Sequence, residues 1–243
     1  MFLFGKEKSA NPLLGNLLHT DMHSHLVPGV DDGAKSLEES IFLIENLIEL
    51  GYKKLITTPH IYPEFYPNKP EDLRIAFNSL VDQVQKKGLA IELELAAEYY
   101  LDSVFEENLE KEELLNLVNK WVLIETSMLS PLMDFSRFVF KIKLKGFQPI
   151  LAHPERYRYI RDINVLAKMK ENGCLLQINI LSLIGSYGNT AKNMAWALLE
   201  KGMVDFLGTD LHREKSLESL RSFPSDKKFL ALLAQNPIKN SLL

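Results

Sequence analysis

Short apolar runs alternate with longer amphipathic stretches along this chain. The apolar runs are LHTDMHSH, KKLITTPH, IELELAAEYYL, KWVLIETS, QPILAHPE, CLLQINI and VDFLGTDLH. Their length and β-branched content predict strands. Between them SLEESIFLIENLIELG, PEDLRIAFNSLVDQVQKKG, MDFSRFVFKIKLKG, INVLAKMKENG and NTAKNMAWALLEKG carry the helical period. These stretches end on Gly51, Gly88, Gly146, Gly173 and Gly202, the usual helix stop. SLEE from Ser36 reads as a capping box. Residues 130–134 read as a loop entering a helix. Strand–helix alternation of this kind predicts a parallel sheet with crossover helices.

Seven such strands can stay open or close on themselves, and the polar positions choose between the two. They gather at the C-terminal ends of the runs: His23 and His25, His60, Glu98, Glu125, His153, Asp210 and His212. An open sheet concentrates its ligands at one switch point, whereas a barrel builds its site from many strand ends. The predicted fold is therefore an α/β distorted TIM-like (β/α)7 barrel with its site at the C-terminal face of the strands. No repeat or linker divides it. Residues 1–18 read as an N-terminal arm, with Phe2, Leu3 and Phe4 expected to pack on the body rather than lie on a membrane surface, and residues 19–243 as a single barrel domain.

Composition changes this picture little. With 243 residues, 46% hydrophobic and 25% charged, the chain is long enough for a sizeable core. A net charge of −4 gives no sign of a nucleic-acid surface. No apolar run has transmembrane length, and in MFLFGKEKSANPLLGN the apolar part precedes the charges, the wrong order for a signal peptide. The single cysteine, Cys174, excludes an internal disulfide and fits a reducing cytoplasm. An oligomer is compatible with all of this.

The spacing of TDMHSHLVPGVDDG carries the first chemistry. In a strand, residues two apart share a face, so His23 and His25 aim at one point. Asp31 and Asp32 follow, then the turn-former Gly33. Any one of these residues alone is more simply a solvated strand end or a structural partner. Together, unpaired, they would be very costly to bury. Imidazole with carboxylate suits zinc, manganese or iron, and the donors exceed the three or four that one ion needs. Two or three metals follow, and sites of that kind serve hydrolysis or phosphoryl transfer.

HxH on the first strand, TTPH, AAEYYL, LIET, AHPERY and GTDLH occur in that order. The ordered set resembles the polymerase and histidinol phosphatase (PHP) superfamily. DMHSHLVPGVDDGAKSLEES, TTPHIYPEFYPN and PILAHPERY resemble its branch of bacterial manganese-dependent protein-tyrosine phosphatases of capsule and exopolysaccharide operons. Glu125 stands where many superfamily members have histidine, and that too favours this branch.

The resemblance implies a three-metal centre holding Mn2+, with zinc, iron or magnesium as other candidate ions. His23, His25, Asp210 and Glu98 would bind a first metal, with Glu98 bridging to a second held by Glu125 and His153. His60 and His212, with Asp31 or Asp32, would hold a third. It also implies hydrolysis of phosphotyrosine by a metal-activated water, the partner being a bacterial tyrosine kinase that controls polysaccharide export. The other readings are a small-metabolite phosphatase of the histidinol phosphate type, a nuclease or proofreading module, and a PHP-fold binding protein without activity. The acidic balance counts against the nuclease. The complete ligand set counts against lost catalysis.

Arg156, Asp32 and Arg213 are the residues expected to act on the phosphoryl group, with Arg221 as a further candidate. A guanidinium grips phosphate oxygens through its fork of donors. The bland alternative for Arg156 is an ion pair with Glu155 or Asp162. Tyr62, Phe65 and Tyr66 suit either a wall for a phenyl ring or a stiff packed loop, and of Tyr99 and Tyr100 one is expected inward. His19 reads as structural or as a support behind the ligands. Cys174 reads as core, because a cysteine-dependent tyrosine phosphatase needs arginine six residues on and Ile180 stands there, in what reads as a strand.

Overall fold

The computed structural model describes residues 13–223 and 227–243. Phe2, Leu3 and Phe4 lie outside the described residues. Short α1 (Leu14–Leu18), counted with the arm above, places Leu14, Gly15 and Leu18 in the interior. The chain continues through β1 (Thr20–Asp21), α2 (Leu37–Glu49), β2 (Lys54–Thr57), β3 (His60–Ile61), α3 (Pro70–Lys86), β4 (Glu92–Leu95), β5 (Glu98–Tyr100) and α4 (Ser103–Lys111). There follow β6 (Trp121–Glu125), α5 (Phe135–Leu144), β7 (Gln148–Ala152), α6 (Ile163–Glu171), β8 (Leu175–Asn179), α7 (Ile180–Ile184), α8 (Asn189–Glu200), β9 (Phe206–Gly208), α9 (Lys215–Arg221) and α10 (Lys227–Gln235).

Every strand pair is parallel, in two sheets ordered β1-β2-β4 and β3-β5-β6-β7-β8-β9. The second and third predicted strands are each broken in two. Pro59 sits at the first break, where it has no N–H to give to a ladder. Backbone bonds still bridge the gap, from Ala96 N to Thr57 O (2.9 Å) and from Glu98 N to Pro59 O (3.1 Å). The last and first strands meet through His25 N to Leu211 O (2.9 Å), Asp210 N to His23 O (2.8 Å) and a parallel bridge from Ser24 to Leu211. The seven predicted strands, two of them split, thus follow one another in chain order around a distorted (β/α)7 barrel.

The predicted ends hold. Gly51, Gly88, Gly146, Gly173 and Gly202 all take positive φ after their helices. Ser36 caps α2 by accepting from Glu39 N, while Glu39 reaches back to Lys35 N (2.8 Å) rather than to Ser36 N. Ile180, read above as strand, opens α7 instead. Its run ILSLI continues the buried pattern of β8, so hydrophobicity alone did not mark the change. Cys174 is buried in the core.

Two apolar clusters divide the core. The larger joins strands to helices. The smaller draws Met22, Ile56, Ala96, Leu123, Ile150, Ala152 and Phe206 from strand segments and Leu117 from a loop, with no helix residue, and fills the space the strands enclose. Glu98 and Glu125 stand two residues after Ala96 and Leu123, on the same face of their strands. The packed interior therefore gives way to a carboxylate layer at the strand ends.

Candidate metal centre

The structure brings five histidines and four carboxylates together at that end. His23 Nε2 lies 3.2 Å from Glu98 Oε2 and 3.4 Å from Asp210 Oδ1. His25 Nε2 lies 3.5 Å from each of the same two oxygens and 3.3 Å from His23 Nε2. The other oxygen of Glu98 meets His153 Nε2 at 2.8 Å. His60 Nδ1 faces Glu98 Oε2 (3.3 Å) and Glu125 Oε1 (3.2 Å). Asp32 Oδ1 lies 3.5 Å from His60 Nε2 and 3.4 Å from His212 Nε2.

Asp31 stands behind this cluster. Its Oδ2 meets His25 Nδ1 at 2.7 Å and accepts from His60 N at 3.0 Å, while Oδ1 accepts from Gly33 N at 2.9 Å. Gly33 is needed for closeness: a Cβ there would lie 2.2 Å from His25 O and 2.5 Å from His25 Cβ. Gly208 has the same purpose beside His23, where a Cβ would come within 2.7 Å of the histidine Cβ. His153 and Asp210 both hold the left-handed backbone, with φ of 35° and 52°. Such conformations cost roughly 1–3 kcal/mol each and persist where the surroundings over-determine them.

Charge pairing sets the protonation of the cluster. Burial opposes the charge on His23, but Glu98 and Asp210 outweigh it and lift its pKa to about 9. His25 is raised in the same way, against burial, chiefly by Asp31. Asp32 is lowered to about 2, against burial, chiefly by the His212 imidazole beside it. Glu98 and Asp210 lie well below the carboxylate range despite full burial, His23 being the largest opposing influence on each.

The residues fit divalent cations. Bonds of about 2.0–2.3 Å put ligands of one ion roughly 3–4.5 Å apart. Four groups here have ligand atoms within 4.8 Å of one another: His25, Asp32, His60 and His212; His23, Glu98 and His153; His23, His25 and Asp210; His60, Glu98 and Glu125. Asp32 Oδ1 and His60 Nδ1 are buried without a hydrogen-bond partner, which bound cations would correct.

The sixth strand contributes residues that the sequence reading missed. Gln177 Oε1 meets His23 Nδ1 at 3.0 Å, Gln177 Nε2 donates to Asn179 Oδ1 at 2.8 Å, and Asn179 Nδ2 donates to Asp210 Oδ2 at 2.6 Å. The signal was present in QIN, the same two-residue alternation as HxH. Arg156 pairs with neither Glu155 nor Asp162. Its Nη1 donates to Asp210 Oδ2 at 2.7 Å, and its guanidinium lies 4.2 Å from the centre of the Tyr187 ring. Glu155 instead accepts from Asn179 N (2.9 Å) and Ser182 Oγ (2.6 Å), and Asp162 caps α6.

The cluster opens to a cleft of about 290 Å3, lined by Asp32, His60, Glu98, Glu125, His153, Arg156, Asp210 and His212 with Tyr62, Phe65, Tyr66 and Met128. Tyr66 stacks on His60 (5.2 Å between centres) and Tyr62 on Tyr100 (3.9 Å). Tyr99 is the buried member of its pair and accepts from Leu115 N at 2.7 Å. His19 closes α1 and its carbonyl accepts from Lys53 N, away from the cluster. Arg213 is exposed and outside the cleft lining, and Arg221 pairs with Asn46 and Glu49.

The family described as "Capsular polysaccharide synthesis, CpsB/CapC" matches residues 19–220. The chain belongs to the CpsB/CapC family. The tyrosine-protein phosphatase YwqE of Bacillus subtilis (strain 168) is 31% identical over 198 residues, covering 81% of this chain and 78% of that protein. The tyrosine-protein phosphatase CpsB of Streptococcus agalactiae serotype V is 32% identical over 200 residues, 79% of this CpsB/CapC chain and 82% of its own. A solved chain described under "Crystal structures of YwqE from Bacillus subtilis and CpsB from Streptococcus pneumoniae, unique metal-dependent tyrosine phosphatases" superposes with a TM-score of 0.77. It is 28% identical, over 90% of this chain and 96% of that one. This CpsB/CapC membership agrees with the motif resemblance.

Proposed function

We propose that this chain is a metal-dependent protein-tyrosine phosphatase. The observation that carries the reading is a cluster of nine side chains of metal-ligating type at one small cleft, seven of them in its lining, with an aromatic rim. The names and description of the CpsB/CapC relatives support it.

His23, His25, Asp210 and Glu98 would hold one ion, Glu98, Glu125 and His153 a second, and His60, His212 and Asp32 a third. Asp32 is favoured over Asp31 because its Oδ1 faces the His60 and His212 rings, whereas Asp31 bonds the outer nitrogen of His25 and the backbone N of His60. Manganese suits a nitrogen–oxygen donor set without thiolate. Bound divalent ions would neutralise phosphoryl oxygens and lower the pKa of water.

The chain's own groups do the rest. Asp31 and Gln177 fix the ring orientation of His25 and His23 through their outer nitrogens. Arg156 spends one donor on Asp210 and keeps others for a phosphoryl oxygen. Tyr62, Phe65, Tyr66 and Met128 offer a phenyl ring a wall at the mouth. Cys174 supplies no nucleophile: burial pushes its thiol up to about 12. The substrate partner in this reading is a phosphotyrosine protein, a bacterial tyrosine kinase of polysaccharide export, which the family description supports. No helix among the described residues is long and apolar enough to cross a membrane. A reduced, buried cysteine suits the cytoplasm.

Manganese-loaded protein assayed against a phosphotyrosine peptide, histidinol phosphate and single-stranded DNA tests the reading. Turnover of the peptide alone, lost with chelator and restored best by manganese, is expected. Faster turnover of histidinol phosphate would transfer the site to metabolite chemistry.

A further inference from the structure

A cavity larger than the metal cleft adjoins it. It is a groove of about 1000 Å3 running between the loop after β7 and the start of α8, and Arg156 lines both. One wall carries Arg158 and Arg161; the other carries Asn189, Thr190 and Asn193. Both arginines are exposed, and neither has an ion-pair partner among the described residues. The acids on the same groove do not offset them equally. Glu155 is buried and bonded to Asn179 and Ser182, while Asp162, which is exposed, caps α6. Arg156 is already matched by Asp210.

A surface that leaves two guanidinium groups unpaired beside a catalytic cleft fits an anion delivered together with the reacting group. We infer that this groove docks the polypeptide flanking the phosphotyrosine, and that Arg158 and Arg161 select substrates with Asp or Glu close to it. The inference rests on the phosphatase reading. The spacing sets the reach. A fully extended chain advances at most about 3.3–3.6 Å per residue, so Arg158 lies within roughly 7 Å of Arg156 along the backbone and Arg161 within roughly 18 Å. The segment turns rather than extends, so these are upper limits, and a bound extended peptide of the same rise would carry its acids within about five residues of the phosphotyrosine. Exposed ion pairs are individually weak. Two of them make the expected preference about three- to tenfold, and salt screens it.

The test compares phosphotyrosine peptides carrying Glu at those positions, on either side, with the same peptides carrying Gln. Wild-type protein should show the three- to tenfold advantage for Glu in kcat/KM, expressed in KM and reduced by added salt. R158Q/R161Q should abolish the advantage and leave p-nitrophenyl phosphate turnover within about twofold of wild type. Fluorescence anisotropy of the same labelled peptides, measured without turnover, reads docking by itself. Failure to hydrolyse p-nitrophenyl phosphate would sink the phosphatase reading, while anisotropy still decides the groove. No Glu preference in wild type, or a preference that survives in R158Q/R161Q, overturns the inference.

Discussion

Replacing Arg156 by lysine keeps the charge and removes the fork. The guanidinium is about a quarter exposed, donates to Asp210 Oδ2 at 2.7 Å and packs on Tyr187 at 4.2 Å. Burial works against its charge, but Asp210 outweighs that and holds it firmly cationic. Lysine offers a point charge that cannot bond Asp210 and a phosphoryl oxygen in the same plane. Loss of one hydrogen bond to a charged group is worth about 1.5–3 kcal/mol, which is roughly a 10- to 150-fold loss of rate. Because the lysine ammonium retains some attraction, kcat/KM on a phosphotyrosine peptide should fall about 10- to 100-fold in Arg156→Lys. If the arginine acts on charge that develops in the transition state, kcat should fall more than KM rises. Asp210 Oδ2 keeps the Asn179 Nδ2 bond at 2.6 Å, so the carboxylate stays oriented. Manganese stoichiometry at excess metal should therefore match wild type. Steady-state kinetics with elemental analysis on the purified variant checks this. Near-normal kcat/KM would reduce Arg156 to a structural partner of Asp210 and refute its phosphate-gripping role. Loss of metal in parallel with activity would equally refute the argument.

The remaining predictions concern ligands, protons and the cysteine. Asp32→Asn should lower manganese stoichiometry, whereas Asp31→Asn, which acts through His25, should keep full stoichiometry at excess metal with about 10- to 100-fold weaker affinity; elemental analysis and titration calorimetry separate the two. His23, lifted to about 9 by Glu98 and Asp210 against burial, is protonated at pH 7 when only protein charges surround it. Because a ligating imidazole must be neutral, manganese binding to chelator-treated protein should release protons and tighten as pH rises toward 9, and calorimetry in buffers of different ionisation enthalpy would contradict this by showing no proton release. Cys174→Ser should leave kcat nearly unchanged, and the native thiol, with its pKa raised to about 12 by burial, should resist iodoacetamide at pH 8 until the protein is unfolded. A loss of more than about a hundredfold in a folded Cys174→Ser protein, ~2.7 kcal/mol, would point to covalent catalysis.

Periodicity and spacing were enough for the strand–helix alternation, the glycine stops and the placement of His23, His25, His60, Glu98, Glu125, His153, Asp210 and His212 at strand ends. These are local properties: a two-residue strand period and a 3.6-residue helix period are written in neighbouring residues. Short α1, α7 and α9 went unread because pieces of about one or two turns carry too little period to stand out; α4 and α10, no shorter than α6, also went unread. The choice between Asp31 and Asp32 was also beyond spacing. Adjacent residues differ by which way the DDG turn sends them, and that depends on Gly33 closing against His25. Only the tertiary structure sent Asp31 behind His25 and Asp32 toward His60 and His212. It likewise gave Arg156 to Asp210, 54 residues on, rather than to its sequence neighbours Glu155 and Asp162. Gln177 reached His23 across 154 residues. Long-range pairs of this kind are decided by how the ring of strands comes together, because a side chain in the interior bonds whatever polar group the opposite strand presents, and no local pattern names that group.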